Sequence, residues 1–143
     1  MKSLPLYLTL TGTLPVFFCT FTLLAGVDVL PVLGNTRNVL AVYCLLIVSF
    51  MAGSLWGHQS TNSRQSKALF LALSNIIAVA VWLAYLSLSH CLQLLLFSVG
   101  FLLLLAADKS LLHRGLITED YFTLRIIGTS IVLTNFLIVG FFT

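Results

Sequence analysis

A chain of 143 residues that is 59% hydrophobic and 8% charged, with a mean hydropathy of +1.10, carries far less charge than a soluble domain, in which about a quarter of residues are charged. That balance excludes a water-soluble globule, because nearly every segment between charged clusters is apolar all round and only lipid can cover so much of it. The formal net charge of +3 comes from seven Lys and Arg that form no run, which excludes nucleic acid as a partner, since phosphate binding needs a basic stripe.

A helix needs about 20 apolar residues to cross a hydrocarbon core of about 30 Å. Five runs qualify, and they predict an all-α, polytopic membrane protein: a single transmembrane domain over residues 1–143 with spans at about 4–27, 39–57, 68–88, 91–108 and 119–142. The first run ends at Asp28 and Pro31, and Pro15 inside it removes a helical hydrogen bond and should kink the helix. Reading this run as a cleaved signal peptide after Lys2 is disfavoured, because it is too long for such a segment and lacks a small-x-small cleavage site.

The second run ends in Gly53-Ser54-Leu55-Trp56-Gly57, a G-x-x-x-G thickened by Ala52. Such a patch lets a helix backbone approach closely in lipid. Ala52, Gly53, Ser54 and Gly57 are therefore a helix-packing motif, acting within the monomer, between two copies or on a partner protein. The third and fourth runs are separated only by Ser87-Leu88-Ser89-His90, which requires an antiparallel hairpin. Ser74, Ala78, Ala80 and Ala84 add small-residue spacings to the third.

The fourth run continues past Ala107 through Asp108 and Lys109 toward Arg114, with Gly115 as a left-handed stop. The fifth opens on Thr118 as N-cap, with Glu119 and Asp120 in the first turn where carboxylates complement the helix dipole.

Orientation follows from the cations. With the N-terminus on one side, that side receives Lys2, Arg64, Lys67, Lys109, Arg114 and Arg125, and the other receives Arg37 alone. The bias predicts the N-terminus in the cytoplasm and the C-terminus outside.

Trp56, Trp82 and Tyr121 read as interfacial anchors, as do Tyr7, Tyr43 and Tyr85 near span ends. Asn75 and Asn135 are the deepest amides, and in hydrocarbon their default is hydrogen bonding between helices, with a polar lining as the alternative. Asp108 and Arg125 fall at the same ends of neighbouring spans. Pairing of the two, snorkelling of the arginine and a functional site are the readings. No charge lies at the centre of any span, which argues against a pump.

Cys19, Cys44 and Cys91 make an odd count without C-x-x-C, so the buried ones read as small hydrophobes rather than redox or metal groups. His58, His90 and His113 lie at span ends or in loops, which disfavours haem. No catalytic motif occurs, and no cofactor or metal is called for.

Three stretches carry a resemblance: Thr11-Gly12-Thr13-Leu14-Pro15-Val16-Phe17, Tyr43 to Gly57 ending in Ala52-Gly53-Ser54-Leu55-Trp56-Gly57, and Ala106-Ala107-Asp108-Lys109 followed by Tyr121-Phe122-Thr123-Leu124-Arg125. In these and in their order the chain resembles the transmembrane protein 69-like family, domain-of-unknown-function family 3429. It departs from that pattern at Leu55, where the family has His, at Ala52, where it has Gly, and at Thr118-Glu119-Asp120-Tyr121, where it has Pro and Trp. The resemblance implies a small multi-span protein of a bacterial inner membrane, or of mitochondria in eukaryotes, and no particular activity; a bacterial inner membrane is the location expected.

Two functions fit. The first, favoured by the short loops, the absence of catalytic sets and the absence of charge at the centre of any span, is a non-enzymatic accessory, scaffold or assembly protein whose small-residue stripes dock other membrane helices or a second copy. The other is a small transporter or a lipid- or quinone-binding protein using a polar groove near Asn75, Asn135 and the Asp108–Arg125 end.

Overall fold

The computed structural model describes residues 3–57 and 64–143, with side chains described over 3–55 and 68–143. The backbones of Trp56 and Gly57 therefore belong to the fold, whereas the Trp56 side chain and all of His58 lie outside the described residues. Five helices follow one another: α1 (Ser3–Leu24), α2 (Thr36–Gly57), α3 (Arg64–Ser87), α4 (His90–His113) and α5 (Glu119–Phe142). Helices of 22 to 24 residues reach about 33–36 Å at 1.5 Å per residue, enough to span a hydrocarbon core. All five are apolar enough to cross a membrane. The chain is a multi-pass membrane protein built as a five-helix bundle, the fold class its composition dictates.

The outer surface confirms the solvent. Phe21, Phe50, Leu69, Leu137 and Phe141 all stand well exposed, and patches of that extent are untenable in water but natural against acyl chains. Inside, α2 and α4 form the middle of the bundle: α2 touches α1, α3 and α4, and α4 touches α2, α3 and α5, while α1 also packs on α5. The core is Leu40, Val48 and Leu55 of α2 meeting Phe97, Phe101, Leu104 and Leu111 of α4, all fully buried. Gly100 lets α3 and α4 approach closely, because a Cβ there would lie 3.4 Å from Val81 and 3.6 Å from Ile77 on α3.

Polar groups within the spans are satisfied largely by their own helices. In α1, Thr9, Thr13 and Thr20 donate to the carbonyls of Pro5, Leu10 and Val16, so the threonines add no exposed polarity to a lipid-facing helix. Gln93 Nε2 donates to the Tyr85 and Leu88 carbonyls at 2.9 and 3.0 Å and ties the tight α3–α4 turn. Gly115, with φ of +71°, follows the end of α4, and Thr118 Oγ1 accepts from the Tyr121 N–H at 3.2 Å to cap α5.

The α1–α2 connection departs from a plain loop. The apolar run continues to Val27, but α1 stops at Leu24 and the chain folds into an antiparallel hairpin, β1 (Val29–Leu30) with β2 (Gly34–Asn35). Gly26 and Gly34 take positive φ there, and so does Val32 at +71°. Thr36, fully buried, locks the base: its N–H donates to the Asp28 carbonyl and its Oγ1 to the Val27 carbonyl, both at 2.9 Å. Asn35 Oδ1 accepts from the N–H groups of Arg37 and Asn38 and caps α2.

Candidate functional site

The polar chemistry collects where α2 and α4 end and α5 begins. Arg125 lies six residues past Glu119, about 9 Å along α5. Its Nε donates to Asp108 Oδ2 at 2.7 Å, and Asp108 is wholly buried in α4 while Arg125 is 11% exposed. A guanidinium at that depth needs a counter-ion, because an isolated charge in hydrocarbon costs several kcal/mol. Tyr121, one turn earlier, stacks its ring against the guanidinium at 5.7 Å and sets its hydroxyl 3.5 Å from Ser54 Oγ on α2.

Beside this pair a groove of about 630 Å³ runs between α1, α2 and α5, with Phe101 of α4 in its floor. Its walls are apolar from Leu8 and Phe50 to Val132, and Arg125 and Thr129 stand one helical turn apart along α5 within them. Gly128 leaves room for α1 there: a Cβ would lie 3.4 Å from Thr9 Cγ2. Tyr43, on the α2 wall, donates to the Gly12 carbonyl of α1 at 2.7 Å. A second chamber of about 580 Å³ shares Pro5, Tyr121 and Leu124 with the groove and adds Thr118 and Asp120 at the helix end to a mainly apolar lining.

Two atoms of this wall lack what burial normally demands. Arg125 Nη2 and Thr129 Oγ1 are buried and have no hydrogen-bond partner among the described residues. A buried donor left unmade costs about 1–3 kcal/mol, so the pair marks a place where an acceptor from outside the chain would be stabilising.

The other candidates are scattered. Asn75 is exposed on the outer face of α3. Asn135 is buried, but its Nδ2 donates to the Ile131 carbonyl of its own helix at 2.8 Å and not to a neighbouring helix. The expected groove joining both amides to the Asp108–Arg125 end is therefore not assembled. Back-bonding along α5 satisfies one amide, and the other points away from the bundle.

Of the packing motif, Ala52 is buried, Ser54 bonds the Met51 carbonyl, and Gly53 is exposed, with no described atom within 4 Å of where a Cβ would be. The side-chain position of Gly57 lies outside the described residues. Trp82 is half exposed on α3, whereas Tyr121 is turned inward on Arg125. Cys19 and Cys44 are buried thiols and Cys91 is exposed.

Sequence reasoning passed over Thr129 as an unpartnered hydroxyl, Tyr43 as a helix-bridging donor and Phe101 as the groove floor. Thr129 alone left a trace, four residues after Arg125 and on its face of the helix.

No curated protein and no solved structure matches this chain. A family model does, over residues 1–141, and its description is that of a protein of unknown function. The chain belongs to that family, DUF3429.

Proposed function

We propose that this protein holds an amphipathic membrane molecule, a lipid or quinone, in the groove between α1, α2 and α5. The observation that carries the reading is the buried Arg125 Nη2 and Thr129 Oγ1, unpartnered in the wall of an otherwise apolar groove. The guanidinium already has its counter-ion in Asp108, so the matching head is a neutral acceptor such as an ester or ring carbonyl rather than a free anion. The groove is apolar apart from a few polar groups near the start of α5, which suits a small polar head followed by hydrocarbon.

Purification in mild detergent followed by native mass spectrometry tests this. The wild type is expected to carry one bound lipid or quinone, and Gly12→Leu, which places a side chain into groove space at a glycine with nothing within 4 Å, is expected to lose it while remaining folded. Equal retention by both proteins would overturn the groove as the binding place. A second reading, an accessory or scaffold protein, is favoured by the exposed Gly53, and stable protein partners in the same spectra would support it. In either reading the protein lies in a bacterial inner membrane with its N-terminus in the cytoplasm, supported by the resemblance of its motifs and by six of its seven cations falling on one side.

A further inference from the structure

We infer that the hairpin between α1 and α2 is an interfacial wedge, its tip of Val29, Pro31, Val32 and Leu33 seated at the boundary between head groups and acyl chains of the bilayer the helices cross. Val32 adopts φ of +71° and is fully exposed. Pro31 before it gives the Pro-then-positive-φ order of a type II turn, whose third position favours glycine or asparagine. A β-branched residue there is a steric outlier. Its side chain is wholly exposed, so no side-chain packing among the described residues accounts for a valine at that position.

Val29 and Leu33 are also well exposed, and Asp28 is the only charge among residues 25–36. The base cannot yield, because Thr36 and Asn35 tie it to the start of α2. The apolar surface of α1 continues toward the tip through Phe21, Leu24 and Val27, all exposed, with Asp28 the one charge between them and Val29. That surface is already the lipid-contacting face of a spanning helix, and α1 ends after 22 residues, at the level where hydrocarbon gives way to head groups. Apolar groups of peripheral elements settle about 5–10 Å into that boundary.

The test uses the full chain in vesicles of phosphatidylcholine and phosphatidylglycerol, with Cys91→Ser removing the exposed thiol and a nitroxide placed on Val32→Cys, or separately on Leu33→Cys. Collision with oxygen, which dissolves in lipid, is compared with collision with a water-soluble nickel chelate. Labels on Leu24→Cys and Asp120→Cys serve as lipid and water references. The expected oxygen-to-nickel ratio at both tip positions is close to that at Leu24 and several-fold above that at Asp120. A ratio like that of Asp120 would overturn the inference, because the tip would then be in water. So would protection from both reagents, which would mean that protein covers it.

Discussion

Arg125 concentrates the energetics at the scale of single residues. Its Nε holds the fully buried Asp108 at 2.7 Å, and breaking a buried ion pair by removing one member costs about 3–5 kcal/mol. Asp108→Ala and Arg125→Ala are each expected to destabilise the protein by about 3 kcal/mol in equilibrium unfolding in detergent. The double variant should cost clearly less than the sum of the two. Strict additivity would mean that the pair contributes no coupling. Both residues were legible in the sequence, since an acid and an arginine just inside neighbouring spans have few other ways to lower their energy. Thr129 was not, because a threonine within a helix ordinarily returns its hydroxyl to its own backbone, as Thr9, Thr20 and Thr134 do, and its place four residues after Arg125 does not by itself mark one that does not.

Among the helices, number and approximate place could be read from the sequence, but their faces could not. In water an apolar stripe names the buried side of a helix; in lipid both sides are apolar, and the period carries little information. The glycines show the consequence. Gly53, in the most conspicuous small-residue motif, is exposed, whereas Gly100, which has leucine four residues to either side, makes the close α3–α4 approach. Gly100→Leu is therefore expected to lower stability by about 1–3 kcal/mol through overpacking against Val81 and Ile77. Gly53→Leu should leave the melting temperature of the monomer unchanged. The reverse pattern in thermal denaturation would contradict the packing described. The hairpin was hidden for a related reason: the run through Val27 is apolar without interruption, and the left-handed conformation of Val32 goes against its residue type.

For the molecule as a whole, five spans make α1 and α5 run in the same direction, and their shared wall with α2 leaves the groove open beside the Asp108–Arg125 pair. Composition foretold a bundle in lipid. It did not foretell that α2 and α4 would take the middle, or that a groove would open on the far side from Asn75, because such placements depend on contacts between apolar surfaces that look alike in sequence. The central claim is that a membrane molecule completes this wall. A crystal structure of protein purified from its membrane in mild detergent, with no lipid added, tests it most directly. The account predicts elongated density in the groove, its head within hydrogen-bond distance of Arg125 Nη2 or Thr129 Oγ1; a groove closed by its own side chains, with Nη2 donating to a protein acceptor, would contradict it.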